Sequence, residues 1–458
     1  MLLNGGQQKE AYSELKSVLQ QQGGLTNRVG IDDIATRSDL AIAALLNADR
    51  TNAQKYLAYT GAGRTANKPF ERAAWLQPPL CGATTGLTPE DFAVVEFSVR
   101  EDGSVSGVQP IYTTGDREVA LAFARAVSEW SWDPEAIKDI PPLFRYTTRV
   151  ELRCTRVGER PDLTDPLAER FHGWLAEAGP GDAAWADQPD ARAVGLIRPA
   201  AEAARRSGNR PALVQALAAL GTNRVVPWNQ RVAAFDEAIQ AANDANAPVA
   251  VHSYLAIKRI DLAGKSGRLK RADFRTLLAD RRVAADPLSS ATLRLLIAVP
   301  ADRQSRPDDA MALLDGVVQA GELPAQHPLK VNALLQQATV LADKGDLTAA
   351  RQLFDRTGLD EGQCALIGLT PAFRGIGGTD YPDEARRMGF EGWARTEFDV
   401  AADGRTITPR VIAAYPPFVF NEAATSAFRG ARYRSSYRPI GGLACTAEQG
   451  SISFRLQN

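Results

Sequence analysis

Phe97-Ser98-Val99-Arg100-Glu101-Asp102-Gly103 and Phe398-Asp399-Val400-Ala401-Ala402-Asp403-Gly404 are the stretches on which the reading of this 458-residue chain turns. They lie 301 residues apart and set an aromatic, a valine, an aspartate and a glycine at the same spacing. In the first, Val95, Phe97 and Val99 alternate with Glu96, Ser98 and Arg100, the period of a strand with one buried face. Asp102-Gly103 supplies the positive-φ turn of a hairpin, and Val105 to Ile111 can return as its second strand. Val119, Phe123, Val127 and Trp130 then recur at helical spacing, so one helix face can cover the sheet. Asp133-Pro134 stops that helix, and Val150, Leu152 and Cys154 alternate along a last strand. The predicted order is strand, turn, strand, helix, strand.

The second stretch opens a similar unit. Gly86-Leu87-Thr88-Pro89, just after Cys81, returns as Gly368-Leu369-Thr370-Pro371 just after Cys364. Ala424, Ala427, Phe428 and Ala431 offer an apolar helix face, and Ile452, Phe454 and Leu456 alternate along a final strand. This copy adds a short helix, opened by Tyr381-Pro382 and closed by Gly389. Tyr381-Pro382, Ala385, Gly389, Gly392, the hairpin through Val400, Asp403-Gly404, Val411 and Ile412, and the helix from Phe420 to Arg432 resemble, in that order, the C-terminal domain of TonB-family proteins. The resemblance spans about residues 370–458, and a weaker copy that lacks the Tyr-Pro helix spans residues 82–154.

The resemblance implies a periplasmic module of two helices on a three-stranded antiparallel sheet, with no cofactor. Its work would be protein contact: an extended segment of an outer-membrane TonB-dependent receptor adds to an open sheet edge, whose unpaired N–H and C=O groups an incoming strand satisfies. The chain departs from an energy transducer in having no visible transmembrane anchor and no long proline-rich spacer. Its longest apolar runs fall short of the ~20 residues that span a bilayer. Met1-Leu2-Leu3-Asn4 is no basic n-region before an apolar stretch, so no export signal is expected in the sequence as it stands.

Between the modules, from about Pro161 to Asp360, helical periodicity is broken at short intervals by Gly or Pro. Ala310, Leu313, Leu314 and Asp315 recur as Ala350, Leu353, Phe354 and Asp355, the mark of stacked helix pairs. Ala333 to Phe354, with Gly345-Asp346-Leu347 at its turn, resembles a tetratricopeptide hairpin. An irregular bundle without a groove is the plainer alternative. The expected organisation is α+β and multi-domain: N-terminal helical hairpins over residues 1–75, a divergent module over 76–158, a tetratricopeptide-like array over 159–360 and the TonB-like module over 361–458. A chain this long exceeds the roughly 250–300 residues at which one core stops growing.

Composition narrows the function. Hydrophobic residues at 45% and charged residues at 23% exclude wholesale disorder. The 53 basic and 54 acidic side chains nearly cancel, so no global field draws the chain to nucleic acid or anionic lipid. The four cysteines, Cys81, Cys154, Cys364 and Cys445, fall in two pairs that each bracket a strand-rich segment. Inert buried thiols would serve that pattern. Pairing Cys81 with Cys154 and Cys364 with Cys445 would instead put the chain in an oxidising compartment.

No chemistry is legible. His172, His252 and His327 have no ligand partners at metal spacing, so no metal site is expected. No nucleophile elbow occurs, and neither Gly61-Ala62-Gly63-Arg64-Thr65 nor Gly375, Gly377 and Gly378 fits a phosphate loop. Arg432, Tyr433, Arg434, Tyr437 and Arg438 form a short run of the residue types that dominate protein contacts, against the blander reading of a solvated strand edge. The expected function is therefore a non-catalytic periplasmic adaptor that binds a protein by sheet-edge addition, by the helical groove, or by both. The alternatives are an envelope structural or peptidoglycan-associated protein, and an enzyme with a site between array and modules.

Overall fold

The computed structural model describes residues 2–3, 5–26, 28–61, 70, 73–140, 142–158, 161–263, 267–299, 306–359, 373–376, 381–387, 389–439 and 442–456. Ten strands are described: β1 Ala73–Trp75, β2 Phe92–Val99, β3 Val105–Thr113, β4 Ser131–Trp132, β5 Thr148–Arg153, β6 Phe373–Gly375, β7 Gly392–Ala401, β8 Thr406–Tyr415, β9 Arg432–Tyr433 and β10 Leu443–Phe454.

Each module contributes three antiparallel strands, as its alternating pattern predicts. The first supplies β3-β2-β5 and the second β8-β7-β10. The duplication extends into detail. Gly103 and Gly404 both turn their hairpins at positive φ, 84° and 83°. At each, a Cβ would lie within 2.2 Å of a backbone oxygen, that of Trp132 or of Tyr433, so only glycine fits the close approach. Beside these turns, β1 pairs with β4 and β6 with β9, giving each module the same two-stranded flap.

The sequence reading did not foresee how the modules meet. Their strands form one six-stranded antiparallel sheet in the order β10-β7-β8-β5-β2-β3, joined where β5 pairs with β8. Antiparallel joining turns the second module over, and with it the face that carries its helix. Leu152 and Ala413, opposite each other across the joint, face Phe123 and Val127 of helix Arg117–Ser128. Ala414 and Ala394 face the other way, toward Phe420 and Ala424 at helix Asn421–Arg429. Phe70, Trp393 and Tyr415 also enter the first module's core, with Phe70 stacked on Trp393 at 5.5 Å between ring centroids.

The N-terminal helices Gln8–Gln21, Ile31–Leu46 and Arg50–Ala58 complete the layer beside helix Asn421–Arg429. Tyr12, Leu40, Ala44 and Leu57 share a core with Phe390, Val411, Phe420 and Phe454, from the opposite end of the chain. Their apolar stripes predicted helices; the surface they cover is that of the second module and, where Ile42 meets Val94 and Tyr112, the adjoining face of the first.

Within residues 165–355 the described regular elements are all helices, and one apolar core runs from Leu163 to Ala333. Helices open on proline at Pro211, Pro287 and Pro328, where the missing N–H has no helical partner to lose. The predicted hairpin is present as Pro328–Asp343 and Leu347–Asp355, turned by Gly345 at φ 89°. Ion pairs tie helices to their neighbours, as Arg205–Glu237, Arg210–Asp244 and Arg275–Asp309 do. Among the described residues no helix is long and apolar enough to cross a membrane.

Candidate functional site: one locked edge and one open edge

The joint is locked by carboxylates on the face of β7 that alternation alone assigns to solvent. Glu397 is fully buried and accepts hydrogen bonds from Thr155 Oγ1 at 2.7 Å, Arg156 N at 2.8 Å, Arg156 Nε at 2.7 Å and Arg410 Nη2 at 2.9 Å. Asp399 accepts from Arg156 Nη2 at 2.7 Å, Ala447 N at 2.8 Å and Thr408 Oγ1 at 3.2 Å. Burial alone would raise both carboxyls. At Glu397 the bonds from Thr155 and Arg156 and the charge of Arg410 outweigh it, and at Asp399 those from Arg156 and Ala447 do, so both lie below their ordinary values. Arg410 also donates to the Cys154 carbonyl at 2.6 Å and the Pro89 carbonyl at 3.2 Å. Across the joint, Glu151, 2% exposed, accepts from Phe418 N and Asn421 Nδ2, both at 3.0 Å.

The Cys81–Cys154 disulfide closes this corner, spanning 73 residues. Thr155 N donates to the Pro79 carbonyl and Cys81 N to the Thr155 carbonyl, each at 2.8 Å, so the segment leaving β5 is held from both sides. The predicted first cysteine pair is therefore present. Cys364, the predicted partner of Cys445, lies outside the described residues; Cys445 itself is buried.

With β5 and β8 joined, the sheet ends at β3 and β10. The two ends differ. Strand β3 carries Pro110, a positive-φ Gly107 and two register breaks against β2, devices that blunt an edge against further pairing. Strand β10 has its irregularities early, before Glu448. From Glu448 to Phe454 it runs without proline or break against Phe398 to Gly392 of β7. Among the described residues no strand occupies its outer side. Ser451 and Ser453 are exposed there, while Phe454 is anchored in the core by stacking on Phe420 at 4.4 Å. This long, regular edge is the feature best suited to receive another chain.

The run proposed from sequence as a contact patch is mostly turned inward. Tyr433 is buried between Phe373 and Phe398 at centroid distances of 5.4 and 5.7 Å. Tyr437 packs edge-on against Phe354 of the array, and its N–H donates to Thr339 Oγ1 at 3.2 Å. Arg438, 5% exposed, donates to the Tyr437 carbonyl at 2.9 Å and lies 5.8 Å from the Phe354 ring. Tyr433, Tyr437 and Arg438 thus serve the module's interior and its seam with the array, which leaves Arg432 exposed and Arg434 half-buried. Glu397, Asp399, Arg156, Arg410 and Glu151 were missed by sequence reasoning because strand alternation gives a buried polar face and a solvated one the same pattern. Among the described residues, no cluster of His, Cys, Asp and Glu is arranged to hold a metal ion.

No curated protein matches the chain. Residues 378–456, which hold β7, β8, helix Asn421–Arg429 and β10, match the family described as Gram-negative bacterial TonB protein C-terminal. The chain thus carries a TonB-family C-terminal domain, a module of envelope proteins that engage other proteins, and in this fold its last strand is a sheet edge without a neighbour among the described residues.

Proposed function

We propose that this protein is a non-catalytic periplasmic adaptor, which recruits an extended segment of a protein partner to the outer edge of β10. The expected partner class is an outer-membrane TonB-dependent receptor. One observation carries the reading: in a module of TonB C-terminal type, residues 448–454 form an unbroken edge, while the other end of the sheet is blunted. An open edge binds through main-chain hydrogen bonds, so it suits a segment that is extended before it docks. The Cys81–Cys154 disulfide supports an oxidising compartment. The helical array, sealed to the module through Tyr437 and Phe354, supplies a rigid spacer and a second surface for protein contact.

The test is amide hydrogen exchange on the intact chain with and without peptides from the periplasm-facing segments of outer-membrane receptors. Binding should slow exchange in residues 448–454. The double variant Ser451→Lys, Ser453→Lys changes only exposed side chains and should abolish that protection, since edge lysines oppose pairing. Protection elsewhere, with β10 unaffected, overturns the proposal.

A further inference from the structure

Beside the joint, between the first module and helix Asn421–Arg429 of the second, lies a cleft of about 570 Å³. That volume falls within the roughly 300–1,000 Å³ of small-molecule sites. The first module contributes Pro89 and Arg153 to its walls, and the second contributes Arg410, Thr425, Ser426 and Arg429. Three guanidinium groups thus border one space in a chain whose charges otherwise nearly cancel. Two of them are set in place by the fold. Arg153 lies 4.7 Å from the centre of the Phe92 ring and donates from Nη2 to Glu151 at 3.2 Å and from Nη1 to the Glu90 carbonyl at 3.5 Å. Arg410 is anchored on Glu397 and donates from Nη1 to the Pro89 carbonyl at 3.2 Å. The two Nη1 groups therefore sit on the carbonyls of consecutive residues. Glu151 and Glu397, which compensate these arginines, are buried and do not line the cleft.

Donors are left over on this surface. Among the described residues, Arg153 Nε–H and one of the two Nη1 hydrogens of Arg410 have no acceptor. The exposed Arg429 guanidinium has neither an ion pair nor a hydrogen bond there, and the hydroxyls of Thr425 and Ser426 have no partner either. Glu422, the acidic side chain of the lining, is paired with Arg50 from the N-terminal helices. We propose that this cleft binds a small organic polyanion bearing carboxylate or phosphate groups. Arg153 and Arg410 are its preset forks, and Arg429 supplies the uncompensated charge. Guanidinium groups match the oxygens of carboxylate and phosphate, and hydroxyls along the helix add donors of the same sense. A neutral or cationic ligand would leave Arg429 without a counter-charge. The site is separate from the β10 edge. Because its walls come from both modules, a bound anion also ties them together and stabilises the joint by mass action.

The experiment is calorimetric titration of the full chain at low ionic strength, once with inorganic phosphate and once with citrate. At least one of them should bind with a dissociation constant below about 1 mM. Binding of phosphate alone points to a phosphate-bearing ligand and binding of citrate alone to a carboxylate-bearing one; either supports the site. Arg429→Gln removes an exposed charge and should weaken that binding at least about tenfold, as loss of a charge-assisted hydrogen bond does. Arg206→Gln, at an exposed position on the helical array, should leave it unchanged. Saturating anion should also slow amide exchange in β5 and β8 of the wild type. If neither anion binds below about 1 mM, or if Arg429→Gln and Arg206→Gln bind alike, the proposal is overturned.

Discussion

Glu397→Gln tests the lock between the two modules with almost no change in shape. Glutamine keeps an acceptor for Thr155 Oγ1 and Arg156 N but removes the charge that faces two guanidinium groups. The carboxylate is 0% exposed, and its partners Arg156 and Arg410 are 34% and 21% exposed. Breaking a buried ion pair from one side costs about 3–5 kcal/mol, because the remaining charge is left without its partner. Here the arginines are partly hydrated, Arg156 retains Asp399, and Arg410 retains the carbonyls of Cys154 and Pro89. The loss should sit at the low end, about 3 kcal/mol. Its pH dependence has a definite sign. Glu397 and Asp399 are held below their ordinary values in the fold, so their contribution is full above the unfolded carboxylate range and disappears as pH falls through the folded values. The gap between wild type and variant should therefore be wide at neutral pH and close in acid. Hydrogen exchange resolved to β5, β7 and β8 reads this locally, which avoids treating a multi-domain chain as two-state. A variant as protected as wild type at neutral pH, or a gap unchanged in strong acid, would refute the idea that this carboxylate locks the joint.

Three further perturbations separate the remaining claims. Reducing the Cys81–Cys154 bond, or replacing both residues with serine, should cost on the order of 4 kcal/mol for a 73-residue loop, seen as a lower denaturation midpoint for the first module. Gly404→Ala should destabilise the second module by more than ~1 kcal/mol, because its Cβ would sit 2.2 Å from the Tyr433 carbonyl oxygen at positive φ; thermal melting that matches wild type would contradict this. Tyr433→Ala should cost about 3 kcal/mol and Arg432→Ala less than about 0.5, as expected of a core side chain and an exposed one. Equal losses in denaturant would mean that the run from Arg432 to Arg438 is not divided as described.

How much was legible depended on the range of the interactions. Val95, Phe97 and Val99 announced a strand by period, Asp102-Gly103 its turn, and Val119 to Trp130 its covering helix, because each signal is carried by neighbours in sequence. The repeat of these signals at constant offset disclosed the duplication and the TonB-like module. The pairing of Cys81 with Cys154 was legible too, since both flank one strand-rich unit. The run from Arg432 to Arg438 was ambiguous for the opposite reason: arginine and tyrosine look alike in sequence whether they meet a partner or the Phe354 ring of their own array.

The chain's sequence by itself determined the main strands and covering helices of each module, that one module occurs twice, and that the second resembles a protein-binding domain. Only the tertiary structure decided that the two sheets become one, that the N-terminal helices cover the C-terminal module, and that of the possible edges β5 and β8 are consumed while β10 is left over. The physical reason is that periodicity records which face of a strand is buried but says nothing of its edges. Edge pairing is made by backbone N–H and C=O groups that every residue shares, so which edges meet is settled by the shape of the whole fold and by long-range contacts such as Arg156 with Glu397.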